Sequence, residues 1–168
     1  AQGWQVTALD ISKRRLDLLK ANLKRTGLKA NTVRADALTW EPRHQFDAIL
    51  LDAPCSATGT ARRHPDVLHR IGTRQIGEMA DLQSALLDRV RGWLKPGGTL
   101  VYATCSLECE EGEAQATGVP LPVAPITPEE LPAGLAPTGE GWLRTDPGML
   151  AEHGGLDGFF VARWRAKG

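Results

Sequence analysis

Three strand-length runs in the first third of the chain each close on an aspartate: "VTALD" at residues 6–10, "NTVRAD" at 31–36 and "FDAILLD" at 46–52. Between the first two, Ser12 is placed to cap a helix, and Leu16, Leu19 and Leu23 recur at helical spacing until Gly27 ends it. Ala48 to Leu51 is continuously apolar, which suits a strand buried on both faces of a parallel sheet. Residues 53–72 read as a loop of small and basic residues. Thr73 to Leu94 then carries Leu82, Leu86, Val90 and Trp93 on one helical stripe, "KPGG" at 95–98 is a stop, and Thr99 to Ala103 is the next strand. Strand and helix alternating over residues 5–103 predict an α/β doubly wound sheet.

In open sheets of that kind, ligands bind beyond the carboxyl ends of the strands. Asp10, Asp36 and Asp52 would all stand there. Any one of them reads most simply as a helix cap or turn residue. Three together suit a ligand with ribose hydroxyls and amino groups, which is the chemistry of a nucleoside-bearing cofactor.

The rest of the chain changes character. A short acidic helix is expected around Leu107 to Thr117. Residues 118–141 hold six of the eleven prolines and no basic residue, and predict a mobile or irregular connection. Two short strands, near Gly141 to Arg144 and Gly158 to Arg165, are expected to pair antiparallel. Charge is uneven: residues 1–34 carry eight Lys or Arg against two Asp, and residues 108–141 carry seven Glu and no Lys or Arg. A solvated helix face and a polyanion-facing side both account for the basic stretch, and charge alone does not choose between them. No apolar run approaches the ~20 residues of a membrane span, and no basic-then-apolar leader is visible. Three cysteines make an odd count with no disulfide framework, which points to a reducing, cytosolic setting. His44, His69 and His153 match no metal-ligand spacing, so no metal is expected.

Two of the cysteines occupy alike positions. "LLDAPCSATGTARRHPD" at 50–66 and "KPGGTLVYATCSLECEEGE" at 95–113 each place Cys-Ser just after an apolar run. A buried, inert thiol is the ordinary reading of any one cysteine. The ordered set of Pro-Cys-Ser, His-Pro-Asp, Pro-Gly-Gly and Thr-Cys-Ser is far more specific. Together with "ALDIS", "RADA" and the terminal "LDGFFVARW", it strongly resembles the RNA cytosine-5 methyltransferases of the bacterial Sun/Fmu type, the RsmB/NOL/Sun family. The resemblance covers nearly all of residues 1–168 except 118–141.

That resemblance implies a Rossmann-like class I methyltransferase sheet, with helices on both faces and a C-terminal antiparallel strand pair. It implies S-adenosylmethionine as cofactor and RNA, in bacteria usually ribosomal RNA, as substrate. Cys105 inherits the role of attacking thiolate and Cys55 that of assisting product release; spacing alone would not rank the two. Asp52 would sit beside the target base and the cofactor, Asp10 would accept from the ribose hydroxyls, and Asp36 from the adenine amino group. Arg62, Arg63 and His64 would meet RNA phosphates, or else form a solvated loop. Cys109 matches no motif and reads as structural.

The chain also departs from the family pattern. The glycine-rich loop that wraps the methionine part of the cofactor, and the strand before it, are not found ahead of Asp10. The resemblance therefore implies a piece of a longer enzyme, whose two sub-sheets would face a gap where that strand belongs. Gly112 stands where relatives often show Asn and is expected to weaken its helix by roughly 1 kcal/mol relative to Ala. Two competing functions follow: a catalytically incompetent fragment or RNA-binding scaffold that retains the fold, and a different nucleotide-dependent α/β enzyme such as a dehydrogenase. The paired cysteine motifs disfavour the dehydrogenase.

Overall fold

The computed structural model describes residues 3–168. They divide into two compact units, one ending at Arg43 and the other His44–Gly168.

The first unit is a strand, a helix and a parallel strand: β1 (Thr7–Asp10), α1 (Lys13–Thr26) and β2 (Asn31–Arg34). The register runs from Thr7↔Asn31 to Asp10↔Arg34. Helix α1 begins and ends where its caps place it. Ser12 Oγ accepts from Arg15 N at 3.3 Å, and Gly27 takes the left-handed conformation (φ 68°) that lets its N–H reach the carbonyls of Leu23 and Lys24. Of the helical leucines, Leu16 is buried, and Leu19 and Leu23 are half-buried.

The second unit holds β3 (Phe46–Asp52), α2 (Val67–Arg70), α3 (Thr73–Arg91), β4 (Leu94–Thr104), α4 (Glu113–Gly118), β5 (Leu143–Thr145) and β6 (Phe159–Arg165). Its strands lie in the order β3-β4-β6-β5. β3 and β4 are parallel, while β6 runs antiparallel to both β4 and β5, as expected for the tail. The pairs Leu100↔Trp164, Tyr102↔Ala162 and Thr104↔Phe160 put six fully buried residues on one face. This is the core. Trp142 closes on Phe160 edge-to-face at 5.6 Å, and the Tyr102 hydroxyl donates to the Glu111 carbonyl at 2.7 Å, so the one polar group of a buried ring is satisfied.

The described residues form a two-stranded and a four-stranded sheet, in keeping with the two sub-sheets expected where the strand ahead of Asp10 is not found. Three expectations are corrected. β3 is not buried on both faces: Leu50 is 69% exposed, and Ala48 and Asp52 on the same face are exposed too. The strand is an edge, with β4 as its partner, and α3 packs against these two strands. "KPGG" does not stop the helix. α3 ends at Arg91, where Gly92 N–H and Trp93 N–H bond the carbonyls of Arg89 and Val90. The four residues lie inside β4 as a bulge, the register jumping from Phe46↔Leu94 to Ala48↔Thr99. The acidic helix is broken into a 3-10 turn (Cys109–Glu111) and α4, with Gly112 between them. Gly112 caps α4 from outside, so the interior-helix penalty does not apply. A Cβ there would come within 2.4 Å of Arg144 Nη2 and 3.1 Å of the Phe160 ring.

Residues 118–141 are irregular, as expected, but tied down rather than loose. Val123 bridges to Trp164, Ala124 N donates to Arg163 O at 2.9 Å, and Ile126 is buried. Arg163 closes the arrangement: its guanidinium reaches the carbonyls of Ala124 and Pro125 and both carboxylate oxygens of Glu130.

Candidate active site: two thiols on adjoining strand ends

β3 and β4 are parallel neighbours, so the segments that leave their carboxyl ends leave side by side. Ala53 N extends the ladder with a bond to Ala103 O at 3.0 Å, and the two Cys-Ser pairs follow directly. The first then turns sharply at Ala57, whose left-handed conformation (φ 60°) is costly for a residue with a Cβ. A 3-10 turn, Thr58–Thr60, follows. Gly59 N donates to Cys105 O at 3.0 Å, and Gly59 O accepts from Gly158 N at 2.7 Å. Three backbones meet there. A Cβ on Gly59 would lie 2.0 Å from Gly158 O and 2.9 Å from Cys105 O, which is the reason for a glycine at this position.

The result is a thiol pair. Cys55 Sγ and Cys105 Sγ are 3.5 Å apart and both half-buried. The hydrogen bond from Cys55, supported by a backbone N–H, lowers Cys105 to about 7 against the opposing effects of burial and of the charges of Asp52 and Glu111. Cys55 is pushed far up by its bond to Cys105, by burial and by the Cys105 charge. One sulfur is therefore the thiolate near neutral pH, and the other holds the proton.

Behind the thiols is a cluster the sequence did not disclose. Glu111 is fully buried and its two carboxylate oxygens take four hydrogen bonds. Oε1 accepts from Ser56 N at 2.8 Å and Gln83 Nε2 at 3.1 Å; Oε2 accepts from the hydroxyls of Ser56 and Ser106. Gln83 Nε2 also donates to Pro54 O at 2.8 Å, and Thr58 Oγ1 accepts from Leu107 N at 3.0 Å. Gln83 had a signal: a polar side chain on the buried side of α3, next to Leu82, Leu86 and Leu87. Glu111 had none, standing in a run of acids that reads as solvated. Cys109, expected to be structural, is exposed at the head of the 3-10 turn.

Asp52 is exposed at the end of β3, near enough for its charge to act on Cys105. In the first unit, Asp10 and Asp36 stand at and just past the ends of β1 and β2. Each gives one carboxylate oxygen to a backbone N–H two residues on, Ser12 at 2.7 Å and Leu38 at 2.9 Å, and Arg15 Nε pairs with Asp10 at 2.9 Å. These are the local turn bonds the simpler reading anticipates, yet a carboxylate has about four acceptor sites. Both retain capacity for hydroxyl and amino donors, so they fit a nucleoside. Arg63 forks onto Asp157, holding that carboxyl below its usual range, and Arg62 Nη1 donates to Gly154 O at 3.0 Å. His64 is exposed beside them. Sequence reasoning missed Asp157. No group of three or more His, Cys, Asp or Glu side chains among the described residues is arranged to hold a metal, and no described helix is long and apolar enough to cross a membrane.

A mixed sheet in which one inner strand, β6, runs against its neighbours, with the thiols just past the carboxyl ends of the parallel strands β3 and β4, is the arrangement of a class I methyltransferase fold. The solved structure of NSun6 from Pyrococcus horikoshii with SFG superposes with a TM-score of 0.82 at 30% identity, over 96% of this chain and 41% of that one. A methyltransferase homologue from the same organism gives 0.73 at 30%, over 96% of this chain and 53% of that one. The profile of the 16S rRNA methyltransferase RsmB/F family matches residues 1–165, and the chain belongs to that family. It is 46% identical over 162 residues to the ribosomal RNA small subunit methyltransferase B of Klebsiella pneumoniae, and 41% identical over 162 residues to that of Shewanella oneidensis. In both matches 95% of this chain is aligned, and it spans 36% and 37% of the relatives' length.

Proposed function

We propose that this chain is the catalytic segment of an enzyme that methylates carbon-5 of a cytosine in RNA, with 16S ribosomal RNA as substrate and S-adenosylmethionine as methyl donor. The observation that carries the reading is the thiol pair at 3.5 Å, one sulfur acidic and the other holding its proton. Cytosine carbon-5 is a weak nucleophile. A thiolate adding to carbon-6 makes it enamine-like and splits one hard step into easier ones. Cys105 is the group for that addition. Asp52, exposed at the same strand ends, can bond the ring nitrogen and amino edge as charge develops there. Bound S-adenosylmethionine supplies the electrophilic methyl group. Loss of the carbon-5 proton and cleavage of the bond between Cys105 and carbon-6 then free the methylated base, and Cys55 is the second thiol that assists this release.

Asp10 and Asp36 are the residues for the ribose hydroxyls and the adenine amino group. The target base has to leave its stack to reach the thiols, which favours single-stranded or loop RNA. Arg62, Arg63 and the half-exposed ring of Phe159 line one open hollow, and an aromatic face beside arginines suits such a strand. His64 adds to that face. A reducing cytoplasm is the compartment in which this pair stays reduced. The names of the relatives, rRNA methyltransferases, support the substrate class.

The test is covalent trapping on RNA carrying 5-fluorocytosine, in the presence of S-adenosylmethionine. A stable adduct in the parent protein that is lost in Cys105→Ser and kept in Cys55→Ser is expected. An adduct lost only in Cys55→Ser reverses the two roles, and none with any RNA sinks the reading.

A further inference from the structure

Each cysteine is followed by a serine, and the two serines end on the same carboxylate. We propose that Glu111 is a positioning residue, which holds Ser56 and Ser106 together and thereby fixes the Cys55 and Cys105 thiols against each other. The inference deepens the methyl-transfer reading and rests on it for its purpose, though not for its geometry.

The two cysteine segments leave different strands and are fifty residues apart in sequence. Backbone pairing ends before the sulfurs: beyond Ala53 and Ala103 the direct tie is Gly59 N to Cys105 O. What spans the remaining distance is side chains. Glu111 Oε2 takes both serine hydroxyls, and Oε1 takes the Ser56 N–H. Gln83, fully buried on α3, bonds both Glu111 Oε1 and Pro54 O, so the carboxylate and the Cys55 segment are referred to one rigid helix. The main chain of Glu111 is itself held, its carbonyl accepting from Tyr102 Oη at 2.7 Å and Thr104 Oγ1 at 3.3 Å on β4, the strand that leads into Cys105. All four acceptor bonds of the Glu111 carboxylate are made inside the protein, which favours one arrangement of the groups around it, although Gln83 Oε1 is buried without a partner. The acidity of Cys105 depends first on the bond from Cys55, so it depends on the distance this clamp sets.

Glu111 also bears on Cys105 by charge, in the opposite direction. The two roles therefore separate. In the full-length protein with the exposed Cys109 changed to Ala, the pH midpoint of Cys105 alkylation by iodoacetamide is compared in the parent, Glu111→Gln and Glu111→Ala. Gln preserves the span, its oxygen accepting and its amide donating to the serine hydroxyls, so its midpoint is expected at or below the parent's. Ala releases the clamp, and its midpoint is expected to rise. A folded Glu111→Ala whose midpoint stays level or falls overturns the proposal and leaves a purely electrostatic role.

Phenylarsine oxide gives a second readout. Its one arsenic binds two thiols with loss of one water, and so reports whether both sulfurs are within reach of a single atom. Capture is expected in the parent and Glu111→Gln and reduced at least about tenfold in Glu111→Ala, as effective concentration falls. Unchanged capture in Glu111→Ala overturns the proposal. Should that variant not fold, Ser106→Ala removes one link alone, and unchanged capture there has the same force. Neither readout uses RNA or cofactor, so failure here is distinct from failure of the fluorocytosine trap. In turnover, Glu111→Ala is expected to lower kcat by about 100-fold with little change in KM for RNA.

Discussion

Cys55 and Cys105 are the same residue type in nearly the same local sequence, and the contact between them lowers the Cys105 thiol while it raises that of Cys55. The difference comes from a single shared proton. Replacing Cys55 with Ala removes the donor that most lowers Cys105, so the alkylation midpoint of Cys105 should rise from about 7 toward an ordinary thiol value. Because the shift is a lowering, reactivity in the parent is lost as pH falls through about 7, and the variant loses it at higher pH. Cys55→Ser keeps an O–H donor and should move the midpoint less. Gly59 is the other decisive residue. Gly59→Ala places a methyl group against the carbonyls of Gly158 and Cys105, and should destabilise the second unit by about 3 kcal/mol, read as a lower urea midpoint at unchanged slope. The motif residues were visible in the sequence because Pro-Cys-Ser and Thr-Cys-Ser are unusual strings. Glu111 was not, because burial is decided by what packs around a residue, and a run of glutamates on its own says solvent.

Among the elements, those governed by local chemistry were legible. Helix α1 runs from its serine cap to its glycine, and β5 and β6 start within two residues of their expected places. "KPGG" was misread because a Pro-Gly-Gly string stops a helix and bulges a strand equally well. The choice was made by β3, whose Phe46 N–H donates to Trp93 O at 2.8 Å and so starts the pairing before the prolyl residue. Residues 118–141 read as loose for want of regular periodicity, and what orders them is an arginine on a distant strand. Arg163→Leu should leave the sheet intact yet speed amide hydrogen exchange and proteolytic nicking between Val123 and Gly141. Equal protection in parent and variant would assign the order to the segment's own packing.

Across the whole molecule, an α/β class was readable from alternation, and the division into two sub-sheets from the strand not found ahead of Asp10, while the β3-β4-β6-β5 order was not, since strand order is a long-range property. Asp10→Asn and Asp36→Asn should each weaken S-adenosylmethionine binding by roughly tenfold in calorimetry, the loss of about one charge-assisted bond. Under the RNA reading, Arg62→Ala with Arg63→Ala should reduce the salt slope of affinity for single-stranded RNA by about 0.7 per phosphate contact removed. An unchanged slope would assign Arg63 to Asp157 and Arg62 to the Gly154 carbonyl, with no part in holding RNA.

The position of β6 in the sheet has a consequence for biosynthesis. Among the described strands it comes last in sequence, yet it lies inside, between β4 and β5. In the interval after β4 has left the ribosome and before β6 has, β4 carries a naked edge, and Leu100 and Tyr102 have no Trp164 or Ala162 beside them. The nascent sheet is thus open along its middle until β6 slots in, and in this interval a chaperone would keep the bare edge from pairing with a neighbour.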